Sequence, residues 1–424
     1  MLTLFLLAIV TAERPNVVLI MADDVGRECF GCYGSTQYST PNIDRLAAAG
    51  VRFDNCHSQP LCTPSRVKLM TGRGNHENYV AFSVFPRDEP TVGDVMQSAG
   101  YATGVCGKWQ LLGAEHYPER FVGKGVRPGE VGFDTHCLWQ IEAKPKRYWS
   151  PGLEIDGTLR QFGKDVYGPD VVSDWAIDFV RQHREGPFFL YYPMILVHDP
   201  FLPTPDSPAG RSRSKPGKDK QANFEDMVAT MDKLVGRLAD ELETLGIAEN
   251  TLLLFVGDNG THRTITSRLG GREIVGGKGL TKNRGTHVPL IASWPGRARS
   301  GSNAAGVRES LVDFKDFLPT LAEVADADVP AGCEGVSLLP QILDEDGPVR
   351  EVTTCYYWPR PERGRPQRYA FDGRFKLYAD GRYFDTRTDP EEERPLDAEP
   401  PATLRKAIGS LPERGKRILD LPAG

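Results

Sequence analysis

The stretch "PNVVLIMADD", residues 15–24, is the clearest indication of the fold in the sequence. Residues 17–21 form an unbroken apolar run, which is typical of a strand buried on both faces of a parallel sheet. Two carboxylates, Asp23 and Asp24, follow this run. Because ligands of α/β sheets bind beyond the carboxyl ends of the strands, the stretch predicts a central parallel strand with a polar site at its end.

The succession of helix, glycine and apolar strand recurs along the chain. It is found in "TVGDVMQSAGYATGVCGKW", in "GPDVVSDWAIDFVRQHREGPFFLYYPMILVH" and in "NFEDMVATMDKLVGRLADELETLGIAENTLLLFVGDNG". The apolar run of the second segment predicts a strand over residues 188–197. Strands that alternate with helices predict an α/β fold, with a large, mostly parallel sheet sandwiched by helices.

The pattern changes after about Pro348. The segment "QRYAFDGRFKLYADGRYFDTRTDP" contains short aromatic strands broken by two Asp-Gly pairs, which is the signal for antiparallel hairpins. We therefore expect a main α/β domain over residues 13–346, which carries the candidate site. A small antiparallel α+β subdomain is expected over residues 347–424, with a final helix near residues 404–419.

Composition and the N-terminus narrow the class of protein. The chain has 424 residues with a net charge of −6, which argues against a nucleic-acid partner. Residues 1–12, "MLTLFLLAIVTA", are apolar and too short to span a bilayer, and no other run reaches membrane length. They predict a signal peptide and a periplasmic or secreted protein, although the usual positive start is missing. The alternative is a short apolar strand.

The eight cysteines are too sparse for a disulfide scaffold. Cys29 and Cys32 have CxxC spacing, but no second pair follows, so a redox pair or two buried thiols is favoured over structural zinc. Cys62, in "LCTPSRVKLMTGR", is open to three interpretations. It is a buried thiol, a thiolate nucleophile assisted by Arg66 and a helix N-terminus, or a precursor that is modified after translation.

Hard oxygen ligands follow two of the apolar runs. Asp258 and Asn259 come after the run at residues 252–256, just as Asp23 and Asp24 come after the first. Three carboxylates at one edge of a sheet would repel one another unless a cation lay between them. Oxygen ligands favour Ca²⁺ or Mg²⁺ over zinc, so the sequence predicts a metal site, although Asp-Asn-Gly alone is more often a turn.

Cations and a histidine accompany these acids. Arg66, Lys108 and Lys278 could hold an oxyanion, and the glycines of "GGKGL" around Lys278 would let the backbone approach a ligand. His198, in "VHDPF", could act as a general acid near neutral pH. Each of these residues, taken alone, also fits an ordinary surface or structural role.

Taken in order, these motifs resemble those of the formylglycine-dependent, arylsulfatase-like sulfatases of the alkaline phosphatase superfamily. The segment "CTPSRVKLMTGR" matches the family's C-x-P-S-R…T-G-R signature, and "NVVLIMADD", "GKWQL", "VHDPF", "DNG", "GGKG" and "YFDTRTDPEEE" surround it in the family's order. The resemblance runs from Pro15 to about Leu396. It implies an alkaline phosphatase-like fold and hydrolysis of a sulfuric ester, on a sulfated small molecule, an aryl sulfate or a glycan.

The resemblance also implies a modified residue and a metal. A separate formylglycine-generating enzyme would read the Cys-x-Pro-x-Arg segment and oxidise Cys62 to formylglycine, whose hydrate attacks sulfur with one hydroxyl and expels sulfate with the other. Ca²⁺ is the expected ion, with Mg²⁺ less expected. The implied metal ligands are Asp23, Asp24, modified Cys62, Asp258 and Asn259.

The remaining roles follow from the same resemblance. Arg66, Lys108 and Lys278 would stabilise charge on the sulfuryl oxygens. His198 or Lys278 would assist the leaving oxygen. A second segment, "TKNRGTHVPL", departs from the family where it often has an acidic residue and an arginine, near the substrate side.

One departure concerns the chemistry itself. Many family members have a histidine two residues after the lysine, where this chain has Gln110, which can form hydrogen bonds but cannot take a proton. Either Gln110 orients the diol while another base acts, or turnover is slow. His57 and His76 flank the signature and are candidate substitutes.

Two alternative functions, and two interpretations of one aromatic segment, remain open. A phosphodiester or phosphonate ester hydrolase would use the same kinds of groups, and Gln110 also suggests a low-turnover binder of sulfated glycans. The segment "CLWQIEAKPKRYWSP", residues 137–151, mixes aromatic residues with lysines. It fits either a surface that stacks on sugar rings or a hydrophobic flap packed on the domain.

Overall fold

The computed structural model describes residues 14–215, 217–297, 306–361 and 364–418. The strands are β1 (Asn16–Ala22), β2 (Val51–His57), β3 (Ala102–Lys108), β4 (Thr135–Trp139), β5 (Gly152–Ile155), β6 (Thr158–Gln161), β7 (Phe188–Pro193), β8 (Thr251–Gly257), β9 (Thr266–Leu269), β10 (Arg272–Val275), β11 (His287–Ser293), β12 (Val307–Asp313), β13 (Thr353–Tyr357), β14 (Gln367–Phe371), β15 (Phe375–Tyr378) and β16 (Tyr383–Asp385). The helices are α1 (Pro41–Ala49), α2 (Cys62–Thr71), α3 (Asn75–Asn78), α4 (Val92–Ser98), α5 (Gly168–His183), α6 (Lys220–Thr244), α7 (Asn283–Thr286), α8 (Phe317–Val324), α9 (Leu339–Leu343) and α10 (Ala402–Gly409).

Ten strands form one large sheet in the order β12-β2-β11-β8-β1-β7-β3-β4-β5-β6. The central strands β8, β1, β7, β3 and β4 are parallel to one another. β11 is antiparallel to both of its neighbours, and β5 and β6 add antiparallel pairs at the other edge. The predicted α/β sheet is therefore confirmed, with its parallel part at the centre.

The unbroken apolar run of β1 reflects burial on both faces. Val17, Leu19 and Met21 join the hydrophobic core on one face of the sheet, and Val18 and Ile20 join the core on the other. Helices α2, α4 and α8 cover the first face, and α1, α5 and α6 cover the second. A strand between two helical layers has no solvent side, so it does not alternate apolar with polar residues.

A second, four-stranded sheet lies near the C-terminus. Its strands β13 to β16 pair antiparallel in chain order. The two Asp-Gly pairs lie at the β14–β15 and β15–β16 turns, where Gly373 and Gly381 have φ angles of 94° and 90°. The predicted hairpins are confirmed, and glycine is suited to both turns because it adopts positive φ at little cost.

The predicted C-terminal helix is wrong in its extent. α10 covers Ala402–Gly409 and ends before Pro412, since the residue that precedes a proline is disfavoured in a helix. Residue 419 lies outside the described residues, as does the signal peptide predicted for residues 1–12. Among the described residues, no helix is long and apolar enough to cross a membrane. All eight cysteines are free thiols.

A buried ion pair of the C-terminal subdomain also contacts the main domain. Lys376 Nζ lies 2.7 Å from Glu392 Oε1 and 2.7 Å from Asn283 Oδ1, and the lysine is fully buried. Glu392 also accepts a hydrogen bond from the backbone N–H of Asn283, at 3.1 Å. The segment "TKNRG", expected to lie on the substrate side, therefore contributes Asn283 to this contact between the main domain and the subdomain.

We expect Glu392→Gln to lower the free energy of unfolding by about 3–5 kcal/mol, because it leaves the Lys376 ammonium buried without a counter-charge. Urea unfolding followed by tryptophan fluorescence measures this loss. The double variant Lys376→Met/Glu392→Gln should recover part of the stability. Glu399→Gln, which breaks the exposed pair with Arg405, is the matched control and should cost less than about 1 kcal/mol. An equal loss for the two glutamate variants would contradict the expectation.

Candidate active site

The candidate site lies at the carboxyl ends of the central parallel strands. Ala22 of β1 pairs with Gly257 of β8, so Asp23 and Asp24 emerge beside Asp258 and Asn259. Lys108 is the last residue of β3. The strand-end acids and Lys108, which are far apart in the sequence, are therefore neighbours in the fold.

His198 lies at the same site, although it does not directly follow a strand. β7 ends at Pro193, not at residue 197 as predicted, because proline has no N–H to continue the ladder. The chain then runs along the end of β1, where the Asp23 N–H donates to Leu196 O at 2.9 Å and the Val197 N–H donates to Asp23 O at 2.7 Å. These two hydrogen bonds hold His198 beside the acids.

The oxygen atoms of this cluster fit a divalent cation. Ligand atoms of Asp23, Cys62 and Asp258 all lie within 4.8 Å of one another. Asp258 Oδ2 and Asn259 Oδ1 are buried and have no hydrogen-bond partner among the described residues. Buried polar atoms are normally paired, so two oxygens without such partners beside a carboxylate cluster are suited to coordinate a cation.

The charges lead to the same conclusion. Burial and the neighbouring Asp23 carboxylate raise the pKa of Asp258 well above its ordinary value. Burial alone would also raise the pKa of Asp23, but Lys108 and the other nearby cations lower it strongly. Asn259 Nδ2 donates to Asp24 Oδ1 at 2.9 Å, which leaves its carbonyl oxygen free. The residues present therefore fit a hard metal ion.

Three cations surround the acids. Lys108 Nζ lies 2.8 Å and 3.0 Å from the two carboxylate oxygens of Asp23, and Lys278 Nζ donates to Asp24. Arg66 Nη1 donates to Lys108 O at 2.7 Å, and its Nη2 lies 3.5 Å from Asp258 Oδ2. Arg66 is buried, yet its Nε and Nη2 have no hydrogen-bond partner among the described residues. The site thus holds N–H groups able to bind an additional anion.

The hydrogen bonds of His198 assign its tautomer. Nδ1 lies 2.8 Å from Asp199 O and 3.0 Å from Asp199 Oδ1, so this nitrogen carries the proton. Nε2 lies 2.9 Å from Lys278 Nζ and accepts its hydrogen bond. Burial lowers the pKa of His198, which makes the imidazole neutral at neutral pH.

Cys62 is the first residue of α2, and it is buried. Burial raises the pKa of its thiol, so the structure argues against a thiolate nucleophile at this position. Its Sγ lies 3.4 Å from Gln110 Oε1. The sulfur marks where a modified residue 62 would carry oxygen, at the meeting point of the acids, Lys108 and Gln110.

The structure does not bring His57 or His76 to residue 62. His57 lies 3.1 Å from Asn55 Oδ1 and stacks on His287, and His76 Nε2 lies 3.3 Å from Glu77. In the described part of the chain, neither histidine has a hydrogen bond to Cys62 or Gln110. Neither is therefore placed to substitute for the histidine of the family pattern.

The aromatic residues of segment 137–151 are packed inside the protein. Trp139, Tyr148 and Trp149 are at most 8% exposed and belong to the main core. The guanidinium of Arg147 lies 3.9 Å from the ring centre of Trp139. The hydrophobic-flap interpretation is therefore correct, and these rings are not free to stack on a sugar.

The sequence did not predict that three further residues lie near the site. Asp199 lies 3.0 Å from His198 Nδ1. The Tyr117 hydroxyl, which belongs to no recognised motif, lies 2.8 Å from Gln110 Nε2 and 3.4 Å from Gln140 Nε2. One sequence signal was available, because the pair Trp-Gln occurs at the ends of both β3 and β4. That repetition places Gln110 and Gln140 just beyond the ends of two neighbouring strands.

Acids and cations at the carboxyl edge of such a sheet fit a hydrolase of charged esters, with an acidic cluster able to hold a metal ion. The Sulfatase family model matches residues 15–327 of this chain. The chain belongs to the sulfatase family, and it is a sulfatase, an enzyme that hydrolyses sulfuric esters.

Curated relatives and a solved structure agree with this assignment. Arylsulfatase A of Bos taurus is 32% identical, over 95% of this chain and 83% of the relative. N-acetylgalactosamine-6-sulfatase of Rattus norvegicus is 30% identical, over 83% of this chain and 70% of the relative. The structure of BT4656 in complex with its substrate D-glucosamine-2-N,6-O-disulfate superposes with a TM-score of 0.73 at 23% identity, covering 94% of this chain and 97% of that one, and supports the fold.

Proposed function

We propose that this sulfatase removes sulfate from a sulfated carbohydrate or an aryl sulfate, with a formylglycine made from Cys62 as its nucleophile. The observation that carries the proposal is the position of residue 62. It is buried at the start of α2, its side chain lies among the acids, and it is within reach of Lys108 and Gln110. The segment Cys-x-Pro-Ser-Arg around it supports the modification.

The proposed metal is Ca²⁺. Asp23, Asp24, Asp258 and Asn259 would hold it together with modified residue 62, and the two orphaned oxygens described above support this assignment. When bound, the ion supplies positive charge beside the sulfuryl oxygens, and hydrated formylglycine supplies one hydroxyl for attack and a second for release of sulfate.

The chain's own cations bind and orient the sulfate group. Lys278 is held by Asp24, whose charge outweighs the effect of burial and raises the pKa of Lys278, so its ammonium stays charged. Lys108 is fixed by hydrogen bonds to both carboxylate oxygens of Asp23, and Arg66 Nε and Nη2 have no hydrogen-bond partner among the described residues. Fixed positive groups in a buried site stabilise the charge that develops on the sulfuryl oxygens without having to reorient.

His198 is proposed to deliver the proton to the leaving oxygen. The free site favours the neutral imidazole, with its proton on Nδ1 held by Asp199. A bound sulfate ester places negative charge beside Nε2, and a nearby opposite charge raises a histidine pKa. The substrate itself would thus bring His198 to the protonated form that a general acid needs.

Cations around the site support an anionic sugar as the substrate. Lys144 is exposed, and its pKa is lowered by partial burial and by the neighbouring Arg147, with smaller effects from Asp199 and Lys108. Arg263 is also exposed, and its Nε donates to Lys278 O at 2.7 Å. Two exposed cations beside the reacting group suit a substrate with further sulfate or carboxylate groups, and the names of the relatives above include sulfatases of amino sugars.

Maturation and location complete the proposal. Because formylglycine is made from a cysteine, the chain requires a formylglycine-generating enzyme as a transient partner. The apolar residues 1–12 support export and a periplasmic or secreted location.

Relative rates on esters with the same leaving group test the proposed reaction. We expect kcat/KM for 4-nitrophenyl sulfate to exceed those for 4-nitrophenyl phosphate and a 4-nitrophenyl phosphonate by at least about 10²-fold, a ratio that needs about 2.7 kcal/mol of selective transition-state binding. A panel of sulfated monosaccharides, followed by release of inorganic sulfate, then defines the sugar. A preference for the phosphonate would contradict the proposal.

A further inference from the structure

Gln110 stands where many members of the family have a histidine, which could take a proton. In this structure the Gln110 amide contacts Tyr117 as well as residue 62. Gln110 Nε2 donates to the hydroxyl of Tyr117 at 2.8 Å, while Gln110 Oε1 accepts from Cys62 Sγ at 3.4 Å. The amide therefore bridges Tyr117 and residue 62. Its two ends are chemically different, so the direction in which it points decides whether residue 62 meets an acceptor or a donor.

A second amide supports the acceptor role of the Tyr117 hydroxyl. Gln140 Nε2 also faces this oxygen, at 3.4 Å. Gln110 and Gln140 both have left-handed backbone conformations, with φ of 55° and 62°, and the Gln110 N–H donates to Gln140 O at 3.0 Å. With amide N–H groups from two sides, the phenol oxygen accepts, and Gln110 keeps its carbonyl oxygen toward residue 62.

The loop that carries Tyr117 is well anchored. The Tyr117 N–H donates to Ala114 O at 3.0 Å, and the Gly123 N–H closes the loop on Gly113 O at 2.9 Å. Gly113 has a φ of 82°, and a Cβ at this position would lie 1.9 Å from Phe121 O. Only glycine fits there, so the loop holds the Tyr117 hydroxyl at a defined place beside a half-buried ring.

We infer that Tyr117 is a positioning residue of this sulfatase, which acts through Gln110 and holds the amide oxygen toward the hydroxyl of residue 62. The inference rests on the proposed function, because residue 62 must carry a hydroxyl for the contact to matter. Gln110 then serves as a fixed hydrogen-bond acceptor for the hydrated aldehyde. Without the Tyr117 hydroxyl, the amide is free to turn its N–H group toward residue 62 and lose that contact.

The test compares Tyr117→Phe with the wild type in the aldehyde-bearing, calcium-loaded enzyme. With 4-nitrophenyl sulfate, we expect kcat to fall about tenfold while KM stays within about twofold, as for loss of one oriented hydrogen bond made to the reacting group. A readout without substrate is the rate at which an aminooxy probe labels residue 62. Labelling should become several-fold faster, because the hydrate loses an acceptor and more free aldehyde is present.

Two further variants separate positioning from a general structural effect. Tyr101→Phe is the matched control, since the Tyr101 hydroxyl is buried without a hydrogen-bond partner among the described residues, and it should leave kcat and labelling unchanged. In a Gln110→Leu background, Tyr117→Phe should change kcat by less than about twofold, because the amide that contacts residue 62 is no longer there to be oriented.

The possible results are distinguishable. If Tyr117→Phe behaves like Tyr101→Phe in both readouts, or costs as much in the Gln110→Leu background as alone, the positioning role is wrong while the proposed function stands. If the probe labels no variant, the wild type included, the proposed function fails and the inference fails with it. The expected pattern, a loss in kcat and faster labelling that both require Gln110, supports the assignment.

Discussion

Cys62→Ser is expected to abolish repeated turnover and to leave a sulfate ester on the enzyme. The hydroxyl at position 62 can attack sulfur once, so the sulfuryl group moves to that oxygen and the alcohol leaves with a proton. Serine has no second hydroxyl with which to expel the sulfate. We expect steady-state kcat to fall by roughly 10⁴-fold or more, since removal of a working nucleophile has costs of this order or larger.

Two measurements check this result. Rapid-quench assays should show a burst of at most one product per enzyme, and mass spectrometry should locate the sulfate at position 62. Cys333→Ser, at a half-buried cysteine outside the acid cluster, is the control and should keep kcat within about twofold. Sustained turnover by Cys62→Ser without an enzyme-bound ester would show that residue 62 does not act as proposed.

Asp258→Asn is expected to have opposite effects on the metal-free and metal-loaded protein. Asp258 is buried and faces Asp23 and Asp24, and burial together with the Asp23 carboxylate raises its pKa, so repulsion between the acids makes an ionised Asp258 unfavourable in the metal-free fold. An amide removes this repulsion, and the melting temperature of the metal-free protein should rise. The same change weakens the metal site, and kcat/KM should fall by roughly 10²–10³-fold.

Thermal unfolding with EDTA and with added Ca²⁺ measures both effects. The wild type should gain about 2.7 kcal/mol of stability at a Ca²⁺ concentration 100-fold above Kd, whereas the variant should gain little at the same concentration. Asp328→Asn, at an exposed aspartate, should behave like the wild type. A wild-type melting temperature that does not change with Ca²⁺ would contradict the metal site.

The acid cluster was predictable from the sequence because it depends on a simple rule of topology. Parallel strands end at one edge of their sheet, so Asp23 and Asp258, which follow two apolar runs, had to meet if both runs became central strands. Register then aligned them through the pairing of Ala22 with Gly257. Lys108 was predictable for the same reason, because it closes another strand of the same sheet.

Residues that reach the site through loops could not be placed in this way. His57 and His76 lie close to Cys62 in sequence, but His57 is the last residue of β2 and stacks on His287. α2 carries the chain away from Cys62, and His76 packs beside Tyr356. Tyr117 belongs to an irregular loop whose course depends on Gly113. The aromatic residues of segment 137–151 have the composition of a sugar-binding surface, and only the packing of Trp139 and Tyr148 shows that they are core.

The mass of the tryptic peptide at residues 53–66 tests the central claim most directly. The protein should come from a host that makes the formylglycine-generating enzyme, and the peptide contains an internal control, because Cys56 lies in it as well as Cys62. We expect an aldehyde at residue 62, which forms an oxime with hydroxylamine, and an alkylated thiol at residue 56. An alkylated thiol at both positions in active enzyme would contradict the proposed formylglycine nucleophile.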